Sequence, residues 1–247
     1  MSNRVAVVTG GVGGIGTEIC RYLAKGGYKV AATCIAAEVA GADEWKSQFT
    51  KEGLEVEVFQ LEITDIDDCV KVAAEIEEKM GPISCLVNNA GITKDGTMKK
   101  MDKSMWDAVI NINLTGAFNM TKQVFTKMTE QKFGRIINIS SLNGRKGQFG
   151  QANYSAAKAG IHGFTMAIAQ EGARKGVTVN TVSPGYINTN MMKAIPEDIL
   201  NKIIAQIPVG RLGEAEEIGQ LVAYIASDAA AFMTGANVDM NGGQFIH

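Results

Sequence analysis

The chain has 247 residues, of which 46% are hydrophobic and 20% are charged, and its formal net charge is −2. This composition is typical of a globular protein with a sizeable apolar core, and the length suits one large α/β domain over residues 1–247. No basic cluster could follow a phosphate backbone, and no stretch of about 18 residues is apolar and free of glycine, proline and charge. Nucleic-acid binding and a membrane span are therefore not expected.

Short β-branched runs alternate with longer helical stretches along the chain. The predicted strands are Arg4–Thr9, Lys29–Cys34, Glu55–Leu61, Ile83–Val87, Arg135–Ser140, Val177–Val182 and Asn237–Met240. The predicted helices lie near Gly16–Gly26, Asp67–Met80, Lys103–Lys132, Tyr154–Lys175 and Glu214–Ser227. Apolar strands separated by helices indicate an α/β fold with a single doubly wound, Rossmann-like parallel sheet of about seven strands and helices on both faces.

The segment Gly185–Pro208 is the longest interruption of this pattern, and it contains one short helix candidate. Long loops in compact domains often cover binding sites. We expect Met191–Gln206 to close over a substrate as a lid.

The four cysteines, Cys20, Cys34, Cys69 and Cys85, are scattered and form no CxxC pair. Neither a disulfide framework nor a metal site is predicted. The apolar run near the N-terminus is too short for a signal peptide. These features favour a reducing, cytoplasmic environment.

The glycine-rich run Thr9-Gly10-Gly11-Val12-Gly13-Gly14-Ile15-Gly16 follows the first predicted strand and opens a helix. Gly10 suits the tight turn, Gly14 a close approach to a phosphate, and Gly16 the packing of the helix on the strand. The free N–H groups of a helix N-terminus favour a pyrophosphate. A flexible loop without a ligand could have the same composition, but the position between strand and helix favours a dinucleotide site.

Tyr154 and Lys158 are four residues apart at the start of a predicted helix, so their side chains share one face. A nearby ammonium and an oxidised nicotinamide favour the phenolate, so that this tyrosine can act as an acid or a base. Ser141 lies thirteen residues before Tyr154, just past a predicted strand. The intervening loop can bring both hydroxyls to one carbonyl oxygen.

These motifs together resemble the short-chain dehydrogenase/reductase family. The resemblance runs from Val5 to about Gly243 and includes Asn88-Asn89-Ala90-Gly91 and Pro184-Gly185-Tyr186-Ile187-Asn188-Thr189. It implies a catalytic set of Asn113, Ser141, Tyr154 and Lys158. It implies cofactor contacts from Thr9, Gly10, Gly14, Ile15, Gly16, Ile63, Asn89, Ala90, Gly91, Tyr154, Lys158, Pro184, Gly185, Ile187 and Thr189.

The resemblance also assigns roles within this set. The serine would polarise a substrate carbonyl, and Asn113, in the middle of a helix, would help to hold a water linked to the lysine. Ser140 is the alternative to Ser141, and we expect it to cap or pack locally. Asn111 is the alternative to Asn113, and we expect it to be a solvated helix position. His162 and His247 have no partners at ligand spacing and are expected to be structural or exposed.

Cofactor choice depends on the end of the second strand, which reads Thr33-Cys34-Ile35-Ala36-Ala37-Glu38. An acidic side chain there would hold the ribose 2′-hydroxyl of NAD, and a basic one would pair with the 2′-phosphate of NADP. No Asp closes the strand, and no Arg or Lys appears before Lys46. We predict NADP(H), with NAD(H) as the alternative.

The loop Gly147–Tyr154 resembles that of family members that reduce acetoacetyl-CoA to (R)-3-hydroxybutyryl-CoA for polyhydroxybutyrate synthesis. This resemblance implies an acyl pocket lined by Gln148, Phe149, Gln151 and Tyr186, and a small-molecule acyl-CoA substrate. Reduction of a 3-oxoacyl-acyl-carrier-protein is the alternative, but Glu130-Gln131-Lys132 is only partly basic for docking an acidic carrier.

Two further expectations follow from the resemblance. An inactive cofactor-binding regulatory protein would usually lack part of the catalytic set, whereas all four residues are present here. The family is commonly tetrameric through the helices that carry Asn113 and Tyr154, which implies a homotetramer.

Overall fold

The computed structural model describes residues 4–189, 192 and 196–246. Seven strands of these residues form one sheet: β1 (Val5–Val8), β2 (Lys29–Cys34), β3 (Val56–Gln60), β4 (Ile83–Asn88), β5 (Gly134–Ile139), β6 (Val177–Pro184) and β9 (Asn237–Met240). All are parallel, in the order β3-β2-β1-β4-β5-β6-β9. The short strands β7 (Ile187–Asn188) and β8 (Gly213–Glu214) form a separate pair.

The helices in the described part of the chain are α1 (Gly14–Lys25), α2 (Ala42–Lys51), α3 (Ile66–Met80), α4 (Lys103–Ile110), α5 (Gly116–Glu130), α6 (Leu142–Lys146), α7 (Ala152–Ala173), α8 (Glu197–Ile204) and α9 (Ala215–Ala226). Short 3₁₀ turns lie at Ala36–Gly41 and Asp228–Ala230, and a π-helical turn, Asn111–Thr115, joins α4 to α5. None of the described helices is long and apolar enough to cross a membrane.

The core lies in two layers, one on each face of the sheet. In β1, Ala6 and Val8 belong to an apolar cluster with α1, α2 and α9, whereas Val5 and Val7 belong to a second cluster with α3, α5 and α7. Burial on both faces explains why the strands read as nearly continuous apolar runs. The predicted doubly wound parallel sheet is confirmed.

The sheet order places a switch point between β1 and β4. The chain runs from β1 outward to β3 on one side and from β4 outward to β6 on the other. Folds of this kind bind ligands in the crevice at the carboxyl ends of the strands, where the direction reverses. The glycine turn follows β1 and Asn89–Gly91 follows β4, so both motifs lie at this crevice.

Three features of the helices differ from the prediction. The predicted helix Lys103–Lys132 is present from Lys103 to Glu130, but a π-helical turn at Asn111–Thr115 lies within it, between α4 and α5. Helix α2 was not predicted because it buries only Trp45 and Phe49, too few apolar residues for a clear period. The short α6 was missed for the same reason.

Part of the predicted lid is α8, which begins after Pro196 and carries no buried residue. Residues 190, 191 and 193–195 lie outside the described residues, and Met191 is one of them. The lid role of Met191–Gln206 stays a prediction.

Close packing of α1 against α9 gives a first test of the fold. A Cβ on Gly219 would lie 2.6 Å from the Glu18 carbonyl oxygen and 2.8 Å from Tyr22 Cδ2. We expect Gly219→Ala to lower the free energy of unfolding by about 1–3 kcal/mol, because the helices must separate. Urea denaturation measures this change.

Gly41→Ala is the matched control, because no atom lies within 4 Å of a Cβ built at Gly41. This variant should unfold at the same urea concentration or slightly above it, since alanine restricts the unfolded chain. Equal destabilisation by both substitutions would contradict the proposed packing constraint.

Candidate active site

The glycine turn after β1 is shaped by backbone contacts that exclude side chains. Gly10 has a φ of +61°, which favours glycine. A Cβ on Gly16 would collide with the Gly10 carbonyl oxygen and lie 2.9 Å from Asn89 Nδ2. Gly13 precedes α1 without a side-chain cap, and the first turn of α1 has no acidic residue. The N-terminal amides of this helix therefore remain available for an anionic ligand.

The Asn-Asn-Ala-Gly segment is bound directly to this turn. The Thr9 hydroxyl oxygen accepts hydrogen bonds from the backbone N–H groups of Asn89 and Ala90, both at 3.0 Å. Asn89 Nδ2 donates to the carbonyl oxygens of Thr9 and Gly10, also at 3.0 Å. The carboxyl ends of β1 and β4 are thus held together by four hydrogen bonds that span the switch point.

The Pro-Gly segment after β6 closes the other end of the crevice. Gly185 N–H donates to the Met240 carbonyl oxygen at 2.9 Å. A Cβ on Gly14 would lie 3.3 Å from Thr189 Cγ2, so Thr189 lies beside the glycine turn. Ile187 is buried in β7.

Ile63, one of the predicted cofactor contacts, is buried. Its carbonyl oxygen accepts a hydrogen bond from Asn119 Nδ2 at 2.9 Å, and its side chain packs below Gly116 at the start of α5. Ile15 lies partly buried at the N-terminal end of α1 and packs against the core. Small residues and free helix amides in one crevice are compatible with a dinucleotide.

Ser141 and Tyr154 are brought together at the carboxyl end of β5. Ser141 caps α6, its Oγ accepting from the Asn143 N–H at 3.1 Å, and its hydroxyl lies close enough to the Tyr154 phenol to counter part of the rise in the pKa of that phenol. Asn153 fixes the start of α7, because its Nδ2 donates to the carbonyl oxygens of Lys94 and Met105. The loop between serine and tyrosine therefore returns as the sequence predicts.

Lys158 and Asn113 lie behind this pair. Lys158 is 4% exposed, and its Nζ donates to the Ile139 carbonyl oxygen at 2.8 Å. Asn113 is held by a reciprocal pair of hydrogen bonds with the backbone of Ile92, at 2.8 and 3.0 Å. A Cβ on Gly91 would lie 3.4 Å from both Asn113 Oδ1 and Lys158 Nζ, so these groups converge there.

The π-helical turn is centred on this asparagine. Asn113 is buried within Asn111–Thr115, whereas the alternative, Asn111, is exposed as expected. π-Helical turns inside α-helices occur frequently at functional sites. Ser140, the alternative to Ser141, points away from the phenol and donates to the Lys158 carbonyl oxygen at 2.7 Å.

Burial controls the protonation of both central groups. Burial raises the pKa of the Tyr154 phenol, the hydrogen bond with Ser141 partly offsets this, and the Asp95 carboxylate raises it further. Burial lowers the pKa of Lys158 to about 8. In the chain by itself, burial outweighs the predicted effect of the lysine, whose Nζ lies 5.7 Å from the Tyr154 ring centroid. A protonated phenol is the form required to donate a proton during reduction.

The four predicted acyl-pocket residues have different surroundings. Phe149 is 87% exposed on a turn between Gly147 and Gly150. Gln148, on the same turn, is exposed. The Gln151 amide is engaged at both ends, accepting from Asn143 and donating to Asp95, both at 2.9 Å.

Tyr186 opens onto a cavity of about 140 Å³ beside the Pro-Gly segment. The cavity is lined mainly by aliphatic and glycine residues together with one ion pair, Arg211–Glu217. Tyr186 thus lies between the crevice and an apolar space, whereas Gln151 braces the loop. Two positioning residues were missed in the sequence: Asn143 and Asn153 have no motif other than their position near the catalytic residues.

The buried lysine gives the stability of the protein a defined pH dependence. Lys158 has a pKa of about 8 when folded, against 10.5 in its ordinary state, so the unfolded chain binds more protons between these pH values. We expect the wild type to gain about 2 kcal/mol of unfolding free energy relative to Lys158→Met between pH 7 and 10. Urea denaturation over this range measures the difference.

Lys71→Met, at an exposed position on α3, is the control and should keep a constant difference from the wild type. If the unfolding free energies of the wild type and Lys158→Met change with pH in parallel, burial does not penalise the charged form of Lys158.

Comparison with known proteins agrees with this geometry. A family model described as short chain dehydrogenase matches residues 4–200. The chain is 56% identical over 244 residues to an acetoacetyl-CoA reductase from Allochromatium vinosum, and 55% identical over 245 residues to one from Shinella zoogloeoides, with 99% of each chain covered in both cases. It is 40% identical over 246 residues to a 3-oxoacyl-[acyl-carrier-protein] reductase from Pseudomonas aeruginosa, covering 100% of this chain and 99% of that protein.

The matches span nearly the whole chain and include the segments that build the crevice. The chain therefore belongs to the short-chain dehydrogenase family of NAD(P)-dependent oxidoreductases.

Proposed function

We propose that this protein reduces a 3-oxoacyl thioester, and that the substrate is acetoacetyl-CoA and the product (R)-3-hydroxybutyryl-CoA. The observation that carries the proposal is the approach of the Ser141 and Tyr154 hydroxyls to each other beside the buried Lys158, whose Nζ is held by the Ile139 carbonyl oxygen. The names of the relatives at 55% and 56% identity support the choice of thioester.

The proposed reaction uses each of these groups at a stated atom. The Ser141 and Tyr154 hydroxyls donate hydrogen bonds to the 3-oxo oxygen, and Tyr154 transfers its proton to that oxygen. Lys158 returns a proton to the phenol through water held near Asn113. When bound, the nicotinamide supplies the hydride. The protein orients the carbonyl and stabilises the charge that develops on its oxygen.

The alternative substrate is the acyl-carrier-protein thioester, supported by the relative at 40% identity. Coenzyme A is favoured because the chain is net negative and only partly basic before β5, whereas an acidic carrier needs complementary positive charge. The proposed acyl pocket, Gln148, Phe149, Gln151 and Tyr186, would face the same 3-oxoacyl group in both cases.

The predicted homotetramer is also kept as a proposal. Phe118 on α5 and Met166 on α7 are about half exposed, at 49% and 52%. We propose that another subunit covers these two side chains and so removes their apolar surface from water.

The function is tested by following cofactor oxidation with acetoacetyl-CoA and with acetoacetyl-acyl-carrier protein. We expect kcat/KM to be at least about tenfold higher for the CoA thioester. Tyr154→Phe should lose turnover by a factor of about 10² or more, because the proton donor is removed, while it still binds the cofactor.

Cofactor binding is measured by fluorescence titration, which separates loss of chemistry from loss of folding. A preference for the carrier-protein thioester would favour the alternative. Equal turnover by Tyr154→Phe and the wild type would remove Tyr154 from the mechanism.

For the cofactor we propose NAD(H), the alternative in the sequence analysis, in place of NADP(H). Gly10 and Gly11 donate to the side-chain and backbone oxygens of Thr33, so the end of β2 lies against the glycine turn. The 3₁₀ turn that follows folds back, and Glu38 Oε2 accepts from the Ile35 N–H at 3.1 Å. A carboxylate therefore lies at the end of β2, although no acidic residue closes the strand in the sequence.

The charges around this position also support NAD(H). Asp43 and Glu44 lie in the first turn of α2, which directly follows the 3₁₀ turn that carries Glu38, so the segment after β2 has three carboxylates. The first basic residue after β2, Lys46, is paired with Glu57 at 2.7 Å. This arrangement suits a neutral ribose diol as hydrogen-bond donor and would repel the 2′-phosphate of NADP.

The cofactor proposal predicts a lower Kd for NADH than for NADPH, and a higher kcat/KM with NADH. Glu38→Gln should weaken NADH binding by about tenfold, because a charge-assisted hydrogen bond is lost. Fluorescence titration gives the Kd values independently of turnover.

Glu44→Gln is the matched control, since it removes the same charge from an exposed position and should leave the NADH affinity within about twofold. Tighter binding of NADPH by the wild type would restore the prediction made from the sequence. An unchanged NADH affinity in Glu38→Gln would show that this carboxylate does not contact the ribose.

A further inference from the structure

His162 lies on α7 one turn after Lys158, at the spacing that also separates Tyr154 from Lys158. The three side chains therefore follow one another along one face of the helix. The imidazole is partly buried between the ends of two strands. Its Nε2 lies 2.9 Å from Ser140 Oγ, just after β5, and 3.3 Å from Ser183 Oγ, in β6.

The single hydroxyl proton of each serine fixes the direction of these two contacts. The Ser140 hydroxyl donates to the Lys158 carbonyl oxygen and the Ser183 hydroxyl donates to Asn237 Oδ1, both at 2.7 Å. A serine hydroxyl has only one proton, so both oxygens face His162 as acceptors. Nε2 therefore carries a proton that the two serines share.

The surrounding charges agree with a neutral imidazole. Asn237 Nδ2 donates to Asp239 Oδ1 at 3.0 Å, which leaves the amide oxygen of Asn237 for Ser183. Burial, followed by the Arg145 guanidinium of α6, lowers the pKa of His162, and the Asp239 carboxylate of β9 raises it by less. The histidine thus acts as a fixed N–H donor at neutral pH.

This donor reaches the catalytic residues through Ser140. Ser140 directly precedes Ser141, and its hydroxyl binds the backbone of Lys158, whose Nζ binds the neighbouring residue Ile139. Lys158 is therefore attached to the end of β5 twice, through its backbone carbonyl oxygen and through its side-chain ammonium. A Cβ on Gly144 would lie 2.7 Å from the Lys158 carbonyl carbon, so α6 and α7 are in close contact here.

We propose that His162 is a positioning residue for the reduction: its Nε2–H orients the Ser140 hydroxyl and thereby sets Ser141 and Lys158 in their relative positions. From the sequence alone, His162 was expected to be only structural or exposed. The second acceptor of this proton, Ser183, is bonded to Asn237, which is not one of the catalytic residues. The same Nε2–H therefore holds Ser140, next to the catalytic residues, and Ser183, which has only a structural role.

The two branches can be separated by substitution. His162→Leu and Ser140→Ala should each lower kcat by about tenfold, with the Kd for NADH changed by less than about twofold, because displaced catalytic groups cost rate more than binding. His162→Gln can present an N–H donor at similar reach and should recover most of kcat. Ser183→Ala, the matched control, loses a contact to the same proton and should keep the kcat of the wild type.

Thermal unfolding and the stoichiometry of NADH binding are measured for every variant, so that kcat refers to the folded fraction. The proposal is overturned if His162→Leu keeps the kcat of the wild type, or if His162→Gln is as slow as His162→Leu. It is equally overturned if Ser183→Ala loses as much kcat as Ser140→Ala.

This assay rests on the proposed function, because acetoacetyl-CoA is its substrate. A second measurement is independent of turnover: ¹⁵N NMR of the imidazole should show the neutral Nε2–H tautomer of His162 at pH 7. A protonated ring or the Nδ1–H tautomer would overturn the inference. A wild type inactive on acetoacetyl-CoA but with the expected tautomer would count against the proposed function alone.

Discussion

The contact between Lys158 and the end of β5 is the interaction on which the rest of the site depends. The ammonium is almost fully buried, and burying a charge costs free energy unless it is hydrogen-bonded. The Ile139 carbonyl oxygen supplies that bond, and in doing so it fixes α7 against the strand that carries Ser141. The hydrogen bond between Lys158 and Ile139 therefore both stabilises the buried ammonium and positions the helix that carries Tyr154.

The order of the sheet supplies the other half of the site. Because β1 and β4 are neighbours and the chain leaves them in opposite directions, the turns after them face one crevice. The hydrogen bonds from Asn89 and Ala90 to Thr9 hold these two turns as one unit. Small residues are required there for a steric reason, as the collision of a Cβ on Gly16 with the Gly10 carbonyl illustrates.

Low polarity around the reacting groups shifts their proton affinities in opposite directions. The phenol of Tyr154 becomes a weaker acid and the ammonium of Lys158 a stronger one. Both shifts favour neutral groups in the chain by itself, since burial penalises the charged form of each. A site of this kind is prepared to donate a proton from tyrosine and to take its replacement from a lysine that loses its proton near neutral pH.

The sequence by itself determined what depends on short stretches of chain. The alternation of apolar strands and helices predicted the parallel sheet, the glycine turn between strand and helix predicted the crevice, and the four-residue spacing of Tyr154 and Lys158 predicted their common face. The tertiary structure decided the rest: the return of Glu38 to the end of β2, the π-helical turn at Asn113, and the position of His162 between Ser140 and Ser183. These features depend on burial and on contacts between residues distant in the chain, and neither local spacing nor composition carries that information.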